Sequence, residues 1–308
     1  MIYVDLSSWY RAAWLRLARG VASGGFVLAL ASPGGAFEVT SCDVLVPRGE
    51  IGELRQNLSC SHTVAHCADS PEILCADPGP GVGPGCPRGP CVNRAIQLAD
   101  RATLRLNGHE LRGGKVGVLC RDRCSVEGGG GLIADADVGI RQWSHRTMAV
   151  RDLRFENNGW AINAAYFARR TTLTNVSVHD GSGIYAPNLH ATRLEIVDLA
   201  GCGHGPFIAA DRLRGSEIST PWVYVERGLD VTGLTVVAEC GTGLVAPRGR
   251  VRLVDSVLSG ATVADIATRV QPELSNTVCD RSARLDRDGE LTGATWGVCG
   301  LDSSPAAR

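Results

Sequence analysis

The stretch from Val138 to Ala165 reads V-G-I-R-Q-W-S-H-R-T-M-A-V-R-D-L-R-F-E-N-N-G-W-A-I-N-A-A and holds more than one period of a repeat. The pair Gly139-Ile140 near its start returns 22 residues later as Ala161-Ile162. The small residues at this spacing are Gly117, Gly139, Ala161, Gly183 and Gly205. A fixed period of this size indicates a stacked repeat architecture rather than a conventional globular fold.

Each repeat contains short, alternating apolar segments bounded by turn residues. Leu173, Val176 and Val178, for example, precede H-D-G-S-G at residues 179–183. Such segments are typical of strands. Ankyrin and tetratricopeptide repeats need helices, and leucine-rich repeats need a regular Leu/Asn signature, and both are missing. The sequence therefore predicts an all-β fold: a single-stranded right-handed parallel β-helix (a solenoid) of about 22 residues per coil, with roughly eight coils and capped ends.

In such a coil, equivalent residues of successive repeats stack about 4.8 Å apart. One predicted inward column is Ile140, Ile162, Ile184, Phe207, Val223 and Leu244. A second predicted inward column, two residues further on, is Gln142, Ala164, Ala186, Ala209, Val225 and Ala246. The predicted outward column between them is Arg141, Asn163, Tyr185, Ile208, Tyr224 and Val245. These columns predict an apolar interior and a mixed outer face.

The N-terminus has the pattern of a secretory signal. Arg11, Arg16 and Arg19 precede the apolar stretch 21–31, which is too short for a permanent membrane anchor. We predict a signal peptide over residues 1–31, with cleavage after Ala31 or Ala36. We further predict an N-terminal cap over 37–94 with a Cys/Pro/Gly-rich insertion at 61–91, a β-helix over 95–275, a C-terminal disulfide cap over 276–300 and a flexible tail over 301–308.

Twelve cysteines, an even number, are consistent with export and disulfide formation. In the insertion, His62, His66, Cys67 and Cys75 allow a metal site, but no paired C-x-x-C spacing is present and disulfides are the better interpretation. Cys202 and Cys240, if stacked two turns apart, would lie about 9–10 Å from each other. They would then form a bridge only if the short repeat between them collapsed.

Three segments resemble the right-handed parallel β-helix proteins of the pectin-lyase-like superfamily. The segment Cys42 to Cys60, C-x-V-L-V-P-R-G-E…L-R-Q-N-L-S-C, is similar to the first-coil cap of secreted bacterial members. The segment Ala102 to Gly113 is similar to their opening strand and turn, and Asn276 to Cys299 to their C-terminal closure. The resemblance implies the fold from about Cys42 to Cys299, but this superfold hosts lyases, hydrolases, epimerases and non-catalytic adhesins.

At the ends of the coil we expect the disulfides Cys42–Cys60, Cys120–Cys124 and Cys279–Cys299. The pairing of Cys67, Cys75, Cys86, Cys91, Cys202 and Cys240 stays open. The leader and the cysteines together predict export, and the resemblance implies the periplasm, the cell surface or the medium of a bacterium.

Gly203-His204-Gly205 resembles a turn of polygalacturonase-type glycosidases. An inverting glycosidase needs two carboxyl groups about 6.5–9.5 Å apart, yet the positions one coil earlier are Gly181 and Ser182. Asp180 lies nearby, but its spacing from Asn158 predicts a place in an asparagine ladder within the turn.

A pectate-lyase-like mechanism would require acids that hold Ca²⁺ and an Arg or Lys as the base. No column stacks two or three acids on consecutive coils. If the protein is an enzyme, the candidate catalytic residues are His204, Asp180, Asp198 and Arg193, with Arg212, Arg214 and Asp211 as further lyase candidates. Ca²⁺ enters only under the lyase alternative, and no other cofactor or metal is expected.

A net charge of −1 gives no electrostatic case for nucleic acid or an anionic membrane. The outward residues Arg141, Asn163, Tyr185 and Tyr224, with Trp143 close by, would suit an extended sugar chain, because flat aromatic faces pack on pyranose rings. We therefore expect a monomeric, non-catalytic binder of polysaccharide or of a glycan-rich surface. The alternatives are a lyase or glycoside hydrolase acting on uronate-containing glycans, and a structural cell-envelope protein.

Overall fold

The computed structural model describes residues 36–60, 94–164, 168–197 and 207–302. These residues form 24 β-strands and no helix, and the strands pair in parallel between successive turns of a solenoid. Between Arg94 and Ala264 the chain makes about eight turns of about 22 residues each. The predicted parallel β-helix is thus confirmed. The predicted leader, the insertion at 61–91 and most of the C-terminal tail lie outside the described residues.

The strands stack into three parallel sheets, and each coil contributes to each sheet. Sheet 1 contains β2 (Val44–Val46), β5 (Arg94–Leu98), β8 (Val116–Cys120), β10 (Val138–Gln142), β12 (Trp160–Ala164), β14 (Gly183–Tyr185), the starts of β16 (Phe207–Thr220) and β17 (Val223–Val237), β18 (Thr242–Ala246), β21 (Ala264–Thr268) and β24 (Ser282–Arg284).

Sheet 2 contains β1 (Phe37–Val39), β3 (Ile51–Leu54), β6 (Ala102–Arg105), the starts of β9 (Cys124–Ala134), β11 (Thr147–Asn158), β13 (Arg170–Gly181) and β15 (Asn188–Val197), the middle of β16 and β17, β19 (Arg250–Val254) and β22 (Glu273–Ser275). Sheet 3 contains β4 (Leu58–Cys60), β7 (Glu110–Gly113), the later parts of β9, β11, β13, β15, β16 and β17, β20 (Val257–Ser259) and β23 (Val278–Cys279).

The interior is a set of aliphatic columns. In sheet 1, Ile140 pairs with Ile162, and Ile162 with Ile184, and all three side chains have no solvent exposure. The column continues through Ile208, Val223, Leu244 and Ile266. Burial of these columns follows from the period-2 alternation of each strand, because a parallel coil places every second side chain inside.

A left-handed backbone conformation makes the bend between sheets 2 and 3. Asp152, Asn175 and Arg193 lie at equivalent positions of successive coils and have φ of 51°, 54° and 53°. Asn and Asp tolerate this region better than other non-glycine residues. The Asn175 side-chain amide donates to Oδ1 of Asp152 at 2.8 Å, so the bend is linked from coil to coil.

The side chain of Asn158 satisfies backbone groups of its turn, as predicted, but it is not part of an asparagine ladder. It is buried, donates to the carbonyl of Ile133 and accepts from the backbone N–H of Ala136. Asp180, however, does not share its column, because Gly181 is the residue paired with Asn158. Asp180 stands one position earlier, at the level of Asn157, where both residues have positive φ.

The predicted register is also wrong by one residue in the coil that begins at Phe207. Phe207 pairs with Gly183 and is partly exposed, whereas Ile208 is the buried neighbour of Ile184. In the same way, Ala209 faces outward and Ala210 is buried. The reason is coil length: the step from Ile184 to Ile208 is 24 residues and the step from Ile208 to Val223 is 15, so the 22-residue count does not hold here.

Disulfides close both ends of the coil and one turn near its start. Cys42–Cys60, Cys120–Cys124 and Cys279–Cys299 are all formed, as predicted. Cys240 is disulfide-bonded as well. Three bridges fit an oxidising compartment. Among the described residues, no helix is long and apolar enough to cross a membrane.

The C-terminal cap depends on one carboxylate. Asp302 accepts hydrogen bonds from the backbone N–H groups of Ser282, Val298 and Cys299 and from the Ser282 hydroxyl. Burial alone would raise the pKa of Asp302, but these donors outweigh it and the pKa is lowered. The carboxylate thereby ties the segment after the last strand to the end of the coil.

Truncation of one inward side chain tests the interior column. We expect Ile162→Ala to lower the free energy of unfolding by about 2–5 kcal/mol, because the rigid coils on both sides cannot close the cavity. Thr192→Ala, on the exposed face of sheet 2, should change it by less than about 0.5 kcal/mol. Urea unfolding followed by circular dichroism measures both. Equal midpoints for the two variants would contradict the assignment of Ile162 to the core.

Candidate functional site

The outer face of sheet 1 carries the residues that the sequence predicts for glycan binding. Arg141 pairs with Asn163, and Asn163 with Tyr185, so these three side chains stand side by side on successive coils. The column then passes through Ala209 to Tyr224, since the residue after Tyr185 in register is Ala209 and not the predicted Ile208. The structure therefore brings the predicted set onto one face, with a gap of one small side chain.

Trp143 lies just beyond the end of this column. Its side chain is 39% exposed, and the Arg141 guanidinium carbon lies 5.0 Å from the centroid of its ring. This is cation–π geometry, which holds the guanidinium over one face of the indole. Trp143 is thus ordered by a neighbour that the sequence also placed in the candidate site.

Three further aromatic residues, which the sequence pattern did not place at the surface, lie on this sheet: Trp160, Phe207 and Trp222. Together with Tyr224 they form a continuous series, which we call the aromatic row. The Trp160 and Phe207 ring centroids lie 5.5 Å apart, those of Phe207 and Trp222 lie 4.8 Å apart, and those of Trp222 and Tyr224 lie 6.4 Å apart. All four side chains are partly exposed.

The row arises in the coils where an aromatic residue replaces the buried small residue of the repeat. In the regular coils Gly139, Ala161 and Gly183 occupy the position before the inward isoleucine, and all three are buried. A Cβ on Gly139 would lie 2.7 Å from the carbonyl oxygen of Ala161, which explains the demand for a small residue. In the next two coils the same position is held by Phe207 and Trp222.

Glycine also explains how Trp160 and Phe207 meet across an intervening coil. Gly183 stands between their coils, has φ of 89° and carries no side chain to separate the two rings. A Cβ at Gly183 would overlap the backbone of Phe207. The signal in the sequence was an aromatic residue at or directly before the small-residue column in three coils, namely Trp160, Phe207 and Trp222. It was missed because the 22-residue count assigns Phe207 to the interior.

Tyr224 is held by a charged relay. Its hydroxyl donates to Oε2 of Glu226 at 2.7 Å, and Oε1 of Glu226 forms a 2.7 Å ion pair with Nη1 of Arg248. Burial and the bond to Glu226 raise the pKa of Tyr224 to about 12. The phenol therefore stays neutral and oriented at the end of the aromatic row.

The candidate catalytic residues do not form a described cluster. His204 and Asp198 lie outside the described residues. Arg193 lies in the bend between sheets 2 and 3, in a shallow groove of about 610 Å³ beside Asn175 and Glu217. Asp180 is five residues further along β13 than Asn175, so roughly 16 Å of strand separates the level of Arg193 from that of Asp180. These two side chains are not a catalytic pair in this arrangement.

Within the described residues, no cluster of three or more His, Cys, Asp or Glu side chains has the geometry to hold a metal ion. Several of the carboxylates there are engaged by arginines instead, as Glu127 is by Arg105 and Arg151.

Comparison with known proteins adds no further identification: no family model, no curated protein and no solved structure matches the chain. The class that the geometry defines is a disulfide-closed parallel β-helix with an aromatic row on one sheet.

Loss of the Glu226 carboxylate tests the relay at Tyr224. We expect Glu226→Gln to lower the pKa of Tyr224 from about 12, because the acceptor charge that favours the neutral phenol is gone while the burial remains. The raised pKa of Tyr224 adds to the free energy of unfolding. This contribution is fully present below about pH 10, the pKa of a free tyrosine, and is lost as the pH rises through about 12. Ultraviolet titration of tyrosinate, with Tyr224→Phe to assign the transition, measures the shift. Unchanged titration in Glu226→Gln would refute the relay.

Proposed function

We propose that this chain is an exported β-helix protein that binds a polysaccharide or a glycan-rich surface without cleaving it. The observation that carries the proposal is the aromatic row. Trp160, Phe207 and the pair Trp222 and Tyr224 present partly exposed rings on three coils, with the ring-free coil of Gly183 between Trp160 and Phe207. Centroid steps of 5.5 Å and 4.8 Å lead from Trp160 through Phe207 to Trp222, and Tyr224 extends the row by a further 6.4 Å along the strand that follows Trp222.

The chemistry of the row suits sugar rather than an ionic ligand. Aromatic faces pack on the apolar faces of pyranose rings, while hydrogen-bonding groups at the margin read the hydroxyls. Such groups stand beside the row: the Asn163 amide, and the Glu226 carboxylate that already fixes Tyr224. A rigid sheet holds all of them, so little conformational entropy is lost on binding.

Export and family membership are parts of this proposal. The leader-like residues 1–31 and the three disulfides support an oxidising, extracytoplasmic location. The segments around Cys42–Cys60 and Cys279–Cys299 support the resemblance to the pectin-lyase-like superfamily, of which this chain would be a binding member. The separation of Asp180 from Arg193 favours binding over catalysis among the described residues.

A panel of neutral and acidic polysaccharides tests the function, with affinity gel electrophoresis for binding and assays for reducing ends and unsaturated products. We expect binding without products. Phe207→Ala with Trp222→Ala should weaken binding by about tenfold or more, the equivalent of about 1.4 kcal/mol. Melting temperatures check that the double variant is folded.

The matched control is Trp296→Ala, which removes a partly exposed tryptophan of the C-terminal segment, outside the row. We expect it to keep most of the affinity, and an equal loss in a folded Trp296→Ala protein would contradict the assignment of binding to the row. Product formation abolished by His204→Ala or Asp180→Ala would instead support the enzymatic alternative. Neither binding nor products on any glycan would leave the structural cell-envelope role.

A further inference from the structure

A second surface feature lies on the outer face of sheet 2, away from the aromatic row. Small side chains at equivalent positions of four successive coils form its floor: Thr103 pairs with Ser125, Ser125 with Ala149, and Ala149 with Thr172. Arg101, Arg123 and Arg170 line the same depression, which has a volume of about 450 Å³. We call this depression the arginine trough.

The trough runs parallel to the solenoid axis. Its floor residues repeat at about 4.8 Å because each belongs to the next coil of one sheet. Thr103, Ser125 and Thr172 each carry a hydroxyl, and Ala149 between them is exposed. The floor therefore offers an extended chain a regular series of small polar contacts, about 14 Å long.

Positive charge exceeds negative charge along one wall. Asp100 is shared by Arg123, Arg48 and, at 3.9 Å, Arg101, and Asp122 beside Arg123 pairs with Arg146. Hydrogen bonding from Arg123 lowers the pKa of Asp100, so that carboxylate is ionised, but these two carboxylates face four guanidinium groups. Arg170, exposed on the same side, has no ion pair or hydrogen bond from its side chain within the described residues.

The opposite wall does not cancel this excess. Glu127 is bound by Arg105 at 3.0 Å and by Arg151 at 2.7 Å, so its charge is already matched by cations. At the far end His190 follows Thr172 in register, and Arg214 follows His190. Burial, Arg170 and Arg214 lower the pKa of His190, which is consistent with a positive local field.

We infer that the arginine trough is a second binding site, for a linear anionic polysaccharide that lies along the solenoid axis with its carboxylate or sulfate groups on Arg170 and Arg101. Guanidinium groups bind both anions through paired N–H donors. The trough is separate from the aromatic row, so this inference stands or falls independently of the proposed function.

A glycan fits the trough better than a nucleic acid does. Proteins that bind single-stranded nucleic acid rely on aromatic side chains on which the bases stack. None of the described residues that line the trough is aromatic. The hydroxyls of its floor can instead form hydrogen bonds with the hydroxyls of sugars. Arg170 can form an ion pair with one of the anionic groups that recur along the polysaccharide.

Titration calorimetry at low salt tests the site with dextran sulfate, polygalacturonate, uncharged dextran and oligodeoxythymidylate, in the parent and in the variant with Phe207→Ala and Trp222→Ala, which removes binding at the aromatic row and is the protein in which the affinities are compared. We expect at least one of the anionic glycans to bind and dextran to bind at least tenfold more weakly. The tighter of the two identifies the anion as sulfate or carboxylate. Equal affinity for uncharged dextran, or tighter binding of oligodeoxythymidylate, would overturn the inference.

Two variants locate the binding. Arg170→Ala should weaken it about tenfold or more, because the paired N–H donors that hold the anion are lost. Ala149→Trp should abolish it by filling the floor without removing any charge. The charge-matched control Arg287→Ala, on the exposed C-terminal segment, should stay within about twofold of the parent.

The aromatic-row variant with Phe207→Ala and Trp222→Ala should bind the anionic glycan as the parent does, which separates this site from the proposed one. Equal losses in Arg170→Ala and Arg287→Ala would mean a general charge effect and refute the site. Unchanged binding in a folded Ala149→Trp protein would refute it as well.

Discussion

Parallel, in-register pairing between successive coils is the interaction on which the rest of this structure depends. A strand of one coil finds its backbone partners in the coils before and after it, so no coil is stable alone. The same pairing converts sequence periodicity into columns, such as Ile140, Ile162 and Ile184 inside and Arg141, Asn163 and Tyr185 outside. Because the columns repeat at about 4.8 Å, any feature on the outer face becomes a linear array along the axis. Both candidate sites have this form.

Departures from the regular coil create the aromatic row. In regular coils a buried glycine or alanine precedes the inward isoleucine, because the neighbouring backbone leaves no room for a larger side chain. The lengthened coil before Phe207 and the shortened coil before Val223 replace that residue with an aromatic one. Surface rings then stand where the repeat otherwise has none. The arginine trough has a different origin, because there the regular pairing aligns four small residues on sheet 2 beneath a wall of arginines.

The fold could be predicted from the sequence because periodicity and alternation report directly on stacking and burial. The interior from Ile140 to Ile184 and the three disulfides follow from these patterns and from the resemblance of the end segments. The error at Phe207 has a physical cause: turns tolerate insertions, so a fixed period drifts wherever a coil gains or loses residues. The aromatic row depends on contacts between coils of unequal length, and the trough depends on which arginines lack carboxylate partners. Neither property is visible in a one-dimensional pattern.

The central claim is that the coils stack in register along one axis, and a distance across several coils tests it most directly. Thr174 and Val254 face outward on sheet 2 and are joined in register through Thr192, Ser216 and Thr232, four coil steps in all. Spin labels on Thr174→Cys and Val254→Cys, with the native disulfides kept oxidised, should give a narrow double electron–electron resonance distribution consistent with about 19 Å between the Cα atoms. A broad distribution centred beyond about 30 Å would contradict in-register stacking and both sites that rest on it.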